Sequence, residues 1–262
     1  MPEPGKIADK PLIFNQQKNQ EAPLILIRDL HKSFGSNHVL RGFDLKLYEG
    51  ENLVVVGKSG SGKSVLLKCI VRLTEIDSGT LLVLGKNIPE LEQDELDRIR
   101  TDVGFLFQGS ALYDSMTVQE NLQFPLRRHP ERMRKEQEDK LILQSLGSVG
   151  LTHAIDLMPA ELSGGMQRRV ALARTLILRP KIILYDEPTS GLDPITAKEI
   201  IRLILKIQEE YQTASLIITH DMDCARVISN RMIILIDGIN YAEGTYQELA
   251  RSADEKVQAF FK

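Results

Sequence analysis

Apolar residues follow two different rhythms along this chain. Near the start, LILIRDL (Leu24–Leu30) and VLRGFDLKLY (Val39–Tyr48) partly alternate apolar with polar positions, as half-buried strands do. LVVV (Leu53–Val56) is instead a continuous apolar run that passes directly into GKSGSGKS (Gly57–Ser64). A helical spacing follows, with Val65, Leu66, Cys69, Ile70 and Leu73 on one side, then strands over Thr80–Leu84 and Val103–Phe107. From about Gly109 to Met158 the residues are charged and poor in β-branched runs, which predicts an inserted helical subdomain. After Ser163 the alternation returns: a helix to about Leu178, strand Ile182–Asp186, a helix over Pro194–Glu210, strand Ser215–Thr219, a short helix and strand Met232–Asp237. Apolar strands alternating with helices predict an α/β fold with a mainly parallel sheet covered on both faces. The alternating start predicts an additional antiparallel β layer at one edge.

The 262 residues suffice for one large α/β domain, or a core domain with a small subdomain. A net charge of −3 argues against a dominant basic surface, so no nucleic-acid partner is expected. Cys69 and Cys224 lie far apart and outside any CxxC pattern, which reads as two reduced thiols rather than a metal site. No run approaches the roughly 18–20 apolar residues of a membrane helix, and the first 23 residues lack the apolar centre of a signal peptide. They read as a polar lead-in, and the protein is expected in the cytosol, meeting a membrane only through a partner.

GKSGSGKS fits G-x-x-x-x-G-K-[ST] between a strand and a helix, the context that gives the motif its meaning. Gly57, Gly60 and Gly62 allow a tight turn that presents backbone N–H groups to phosphate oxygens. The helix beginning near Lys63 adds the positive end of its dipole. Lys63 supplies a point charge to the β- and γ-phosphates, and the Ser64 hydroxyl suits Mg²⁺. Lys58, Ser59, Ser61 and Val65 complete the expected nucleotide-binding set. At the carboxyl end of the apolar strand Ile182–Tyr185 stand Asp186 and Glu187, where open α/β sheets place their sites. Asp186 suits Mg²⁺, directly or through water, and Glu187 suits the general base that polarises an attacking water; alone, the pair would also read as a cap for the next helix. Gln108 and His220 follow strand ends in the same way. The first can coordinate Mg²⁺ or the water, the second can contact a γ-phosphate.

Together these segments resemble the nucleotide-binding subunit of ATP-binding-cassette (ABC) transporters, over about Leu24 to Glu248. The resemblance rests on Gly57–Ser64, Gln108, the signature Leu162–Met166, Ile182–Glu187, Ser190–Asp193 and His220, in that order. It implies a P-loop NTPase fold, ATP and Mg²⁺ as ligands, and ATP hydrolysis with Glu187, His220 and Gln108 at the reacting end. Ser64, Gln108 and Asp186 then stand at the metal, and Phe34 stacks on adenine. It further implies a head-to-tail homodimer in which Ser163, Gly164, Gly165 and Met166 close on ATP held by the other copy, with Ser190, Gly191, Leu192 and Asp193 at the same interface. Met166 stands where most of the family has glutamine. Its thioether is a weak acceptor and no donor, so phosphate contact is expected from Ser163, the glycine N–H groups and the helix end instead.

A separate integral-membrane permease is implied, its coupling helix received by the region Gly109–Arg127. The apolar residues there (Leu112, Tyr113, Met116, Phe124) fit either a groove or a helical core. Among subfamilies, LSGGM followed by Arg168–Arg169, the DPIT segment Asp193–Thr196 and SALYDSMTVQENLQFPLR look like ATPases of Mla-type systems. These work with MCE proteins in phospholipid or lipid transport, at the cytoplasmic face of the bacterial inner membrane. The segment 251–262 resembles the short extension of that group, where it can pack on the neighbouring subunit. Thr189–Asp193 (TSGLD) follows the general family instead of some lipid-transport members. An amino-acid or other small-solute importer ATPase is the alternative within transporters. A soluble ABC ATPase of DNA repair or translation is the alternative outside them, against which stand the single phosphate loop and the short helical insertion.

Overall fold

The structure is a computed structural model that describes residues 22–127 and 133–262. The expected lead-in over residues 1–23 lies outside them apart from its last two residues, as do residues 128–132 within the expected helical subdomain. The hairpin β1 (Ile25–Phe34) and β2 (Asn37–Leu47) comes first, followed by β3 (Asn52–Val56), α1 (Lys63–Ile70), β4 (Ser78–Val83) and the short β5 (Lys86–Asn87). α2 (Gln93–Asp102) leads into β6 (Val103–Leu106), and α3 (Val118–Leu126) and α4 (Lys135–Ser148) form the helical segment. α5 (Gly164–Leu176), β7 (Ile182–Asp186), α6 (Pro194–Tyr211), β8 (Ala214–Thr219), α7 (Met222–Ile228) and β9 (Arg231–Ile236) restore the alternation. β10 (Ile239–Gly244), α8 (Tyr246–Ala250) and α9 (Glu255–Gln258) come after it.

Two sheets result, as the two rhythms predict. β2, β1, β4 and β5 form an antiparallel sheet in that order, and the larger sheet runs β10-β9-β3-β8-β7-β6. β9, β3, β8, β7 and the edge strand β6 are parallel, while β10 joins β9 antiparallel. β3, β7 and β8 are buried at every residue, which explains why they read as unbroken apolar runs. Their alternate side chains enter two cores. Leu53, Val55, Leu184, Leu216 and Ile218 meet α1 and the antiparallel sheet, with Phe43 among them. Val54, Val56, Ile183, Tyr185 and Ile217 meet α5, α6 and α7. A third cluster (Val118, Leu122, Ile142, Leu146) fills the helical subdomain.

α5 belongs to two of these cores. Ala171, Leu172 and Leu176 face the sheet, while Val170 and Ala173 face the subdomain. It sits close on β6: a Cβ added at Gly104 would stand 2.5 Å from Thr175 Cγ2 and 3.1 Å from Pro180 Cγ. The loop entering α3 is folded around the buried Asn121. Its Oδ1 accepts from Tyr113 N at 2.8 Å, and its Nδ2 reaches the carbonyls of Tyr113, Met116 and Thr117 at 3.0–3.1 Å. The apolar residues of this region differ in burial. Leu112 packs into the cores, whereas Tyr113 is exposed and stacks on Phe124 at 4.7 Å, beside a cavity of about 440 Å³ that Arg174 also lines.

Element limits differ from expectation where the backbone turns left-handed. The strand expected over Thr80–Leu84 ends at Val83 because Leu84 has φ 51°, and the one expected to Asp237 ends at Ile236 because Asp237 has φ 53°. α6 stops one residue later than expected, at Tyr211, where Gln212 takes φ 52°. The helix after Ser163 ends at Leu176 instead of Leu178. α2, β10, α8 and α9 are additions to the predicted elements. In the segment 251–262, Val257 is buried and Phe261 meets Tyr246 edge-on at 5.2 Å, so this tail packs on its own chain. Its last residues, Phe260–Lys262, line a cavity shared with Ser190, His220 and Asp221.

The close approach at Gly104 is testable. Gly104→Ala forces Thr175 and α5 away from β6, an overpacking that costs about 1–3 kcal/mol. Equilibrium denaturation is expected to show that loss, and unchanged stability would mean α5 yields freely.

Candidate functional site

The register of the parallel sheet decides what stands next to what. Val56 pairs with Thr219, Ile218 with Asp186, and Tyr185 with Leu106. The residues just past these strand ends are Gly57, His220, Glu187 and Phe107–Gln108. Four segments far apart in sequence are therefore brought to one sheet edge. Phe34, Val39, Ser59–Val65, Gln108, Glu187 and His220 line a single cavity of about 520 Å³ there.

The phosphate loop has the geometry its glycines predict. Gly60 and Gly62 have φ of 75° and 102°, and a Cβ at Gly62 would stand 2.6 Å from Val39 Cγ1. Ser61 N donates to Lys58 O at 3.2 Å, closing the turn. Lys63 is buried, its Nζ donating to Gly57 O at 2.8 Å and Lys58 O at 3.1 Å, with Glu187 Oε1 at 3.6 Å. A buried ammonium held mainly by loop carbonyls is poised for an anionic partner. Ser61 Oγ is buried with no hydrogen-bond partner among the described residues, so the cradle retains an unused polar group. These features fit a bound phosphate chain.

Ser64 Oγ donates to Asp186 Oδ1 at 3.1 Å, which places two of the three expected Mg²⁺ ligands in contact. Asp186 is 6% exposed. Burial raises its carboxyl above the ordinary value, the Ser64 hydrogen bond opposes this, and the neighbouring Glu187 charge adds to the rise. A hydroxyl and a desolvated carboxylate, both oxygen donors, suit a hard divalent cation. The third expected ligand, Gln108, borders the same cavity, its Nε2 donating to Ser190 Oγ at 3.5 Å.

Glu187 adopts φ 48°, with its N–H bonded to Ile218 O at 3.0 Å. A non-glycine residue in this region carries local strain, which clusters at functional positions. Its Oε2 meets Thr219 Oγ1 at 3.2 Å, His220 N at 3.3 Å and His220 Nδ1 at 2.9 Å. His220 thus orients Glu187, while most of its own ring stays exposed. Phe34 is half-exposed with Lys32 Nζ 5.2 Å from its ring centroid, so one aromatic face is offered to the cavity rim.

The signature residues stand elsewhere. Ser163 and Gly164 are exposed at the start of α5, and Ser163 Oγ accepts from Met166 N at 3.2 Å, leaving its hydroxyl proton to donate. The Met166 side chain packs partly into the subdomain core. Gly165 is needed because a Cβ would stand 2.6 Å from Thr196 Cγ2. The segment Ser190–Asp193 lies alongside, with Leu192 Cδ2 4.0 Å from the Cβ position of Gly164, and Asp193 caps α6 through Ile195 N and Thr196 N, each at 3.0 Å. Sequence reasoning missed Thr219, Arg168 and Asn121. Thr219 had a signal in its place before His220 at a strand end; Arg168 was read only as a mark of subfamily likeness, and Asn121, within a helix, gave no signal of its own.

Residues 40–190 match the ABC transporter family. The methionine import ATP-binding protein of Clostridium tetani is 40% identical over 215 residues, covering 82% of this chain and 67% of that protein. The glutamine transport ATP-binding protein of Escherichia coli is 39% identical over 241 residues, covering 91% of this chain and 99% of that protein. Among solved structures, the ATP-binding cassette MJ0796, in a dimeric post-hydrolysis state bound to ADP and Pi, superposes with a TM-score of 0.76 at 34% identity, covering 85% of this chain and 98% of that one. With a phosphate loop, a metal-suited Ser64–Asp186 pair and an exposed signature helix in one α/β frame, the chain belongs to the ABC transporter family as an ATP-binding, ATP-hydrolysing subunit that uses Mg²⁺.

Proposed function

We propose that two copies of this chain pair head to tail around ATP and drive a separate membrane permease. The observation that carries this reading is the separation of two half-sites on one chain. The cavity at the sheet edge has a cradle and hydrolytic side chains, while Ser163 and Gly164 at the start of α5 are exposed and lie outside its lining. A helix N-terminus with a free serine hydroxyl suits a phosphate, and a second copy would supply one.

In this reading Lys63 exchanges its contacts with Gly57 O and Lys58 O for phosphate oxygens, and the loop N–H groups take the remaining charge. Ser64, Asp186 and Gln108 would hold Mg²⁺, which would neutralise charge on the phosphates. Glu187 polarises the attacking water, and His220 fixes the Glu187 carboxylate through Nδ1. Phe34 stacks on the adenine ring. Ser163, Gly164, Gly165 and Met166 close on the partner's ATP beside Ser190–Asp193. The tail 251–262 and the permease groove around Tyr113 and Phe124 extend the contacts of the assembled complex.

For cargo we favour lipid, delivered through a permease and an MCE-type protein at the cytoplasmic face of a bacterial inner membrane. The signature LSGGM with Arg168–Arg169 and the segment Ser110–Arg127 support this through their likeness to Mla-type ATPases. A second reading, an amino-acid importer, is favoured by the names of the methionine and glutamine relatives. Among the described residues no helix is long and apolar enough to cross a membrane, so either reading assigns the passage to the permease.

Three outcomes follow. Ser163→Arg is expected to lower ATPase activity at least ~100-fold while ATP binding to a single copy stays within about threefold, as read by equilibrium titration; normal turnover would sink the two-copy site. Asp186→Asn separates metal binding from folding. Because burial raises the Asp186 pKa, its contribution to stability falls as pH rises from the unfolded value through the folded one. At neutral pH the nucleotide-free Asn variant should therefore melt at an equal or higher temperature, yet lose Mg²⁺-dependent hydrolysis by at least ~100-fold. A clear drop in melting temperature would make Asp186 a structural residue. Finally, mass spectrometry of complexes trapped with Glu187→Gln should find a permease, an MCE-type protein and phospholipid. A solute-binding protein specific for an amino acid would overturn the lipid reading.

A further inference from the structure

Arg168 is 4% exposed on α5, one turn past the exposed signature serine. Its Nη1 donates to Phe107 O at 2.9 Å and its Nη2 to Ser190 O at 3.3 Å, and its Nε is buried without a hydrogen-bond partner among the described residues. Burial disfavours the charged guanidinium and the Asp186 carboxylate only partly offsets this, so directing its two hydrogen bonds to neutral carbonyls is unfavourable unless fixing those carbonyls matters. Both belong to site segments. Phe107 precedes Gln108, and Ser190 opens the SGLD turn, whose N–H bonds back to Glu187 O at 3.1 Å. The two segments also touch each other, through Gln108 Nε2 and Ser190 Oγ at 3.5 Å. Arg168 makes no hydrogen bond to the groups assigned to phosphate, metal or water, although the Asp186 carboxylate acts on it electrostatically.

We propose that Arg168 is a positioning residue that pins the Gln108 loop and the Ser190 turn to the helix bearing Ser163, so that the cradle of one copy and the surface offered to the other keep a fixed relation. The proposal rests on the ATPase reading above. Two rigid N–H directions are needed to hold two carbonyls from different loops, which the arginine fork supplies and a lysine ammonium does not. The rest of the sheet edge is set by backbone pairing. These two loops lie beyond the ladders, and a side chain must do for them what register does for the strands.

The test is steady-state ATPase of the full chain, titrated with ATP and separately with Mg²⁺. Arg168→Met keeps a long apolar stem in the site and is expected to lower kcat ~10-fold or more while the KM for ATP stays within about twofold. The Mg²⁺ concentration for half-maximal rate should rise about 10-fold, because Gln108 loses its support. In a Gln108→Ala background the same substitution should cost little further, since both act through one loop. Arg168→Lys should recover kcat only in part, and it provides the same readouts should Arg168→Met fail to fold. Wild-type kcat and Mg²⁺ dependence in Arg168→Met would overturn the proposal, as would a full additive loss in the Gln108→Ala background. A wild-type chain that hydrolyses no ATP would overturn the function itself, an outcome distinct from either.

Discussion

Parallel strand pairing is the constraint from which the site follows. Each inner strand is buried on both faces, so each side chain is committed to one of two cores. A one-residue slip of β7 would exchange Leu184 and Tyr185 between cores as well as break its ladder. The register that avoids this sets Val56, Asp186, Thr219 and Leu106 near one edge. Chemistry then begins at the first residues released from the ladder. The phosphate loop, Glu187, His220 and Gln108 inherit sub-ångström placement from hydrogen bonds that have nothing to do with nucleotide. Glu187 shows the transition most plainly: its N–H still bonds Ile218 O while its φ has already left the strand region.

α5 extends this order beyond the sheet. Its two apolar faces bind it at once to the sheet and to the helical subdomain, so the exposed Ser163 cannot shift without disturbing one of them. Glycines at Gly104 and Gly165 let it approach β6 and α6 more closely than any side chain would permit. The helical subdomain and the exposed N-terminal end of α5 are thus parts of one packed body. Arg174 on α5 ties that helix to α3 and the loop before it, bonding Asn121 Oδ1 at 3.3 Å and Ser110 O at 3.2 Å.

Most of this site was legible in the sequence because its chemistry is local. Gly60 and Gly62 announce their backbone conformation, and a Lys-Ser pair after a glycine turn has few other uses. Asp186, Glu187, Gln108 and His220 could be read from their position after apolar runs. Arg168 and Asn121 could not, since their value lies in partners up to 61 residues distant for the arginine and in a loop fold for the asparagine. α2 escaped notice because Leu96 is its one buried residue among charged neighbours. β10 lacks a fully buried alternation, its burial pattern being mostly intermediate, so neither period emerges.

The C-terminal tail has a consequence for anyone handling the protein. Phe261 is held against Tyr246, and Lys262 shares a cavity with His220, Asp221 and Ser190. Any chain continued from Lys262, whether an affinity tag, a fluorescent reporter or a fused domain, would emerge beside the histidine that orients Glu187. The opposite end of the described chain enters at β1, at the antiparallel sheet. Kinetics of a chain extended from Lys262 would report on the attachment as much as on the enzyme.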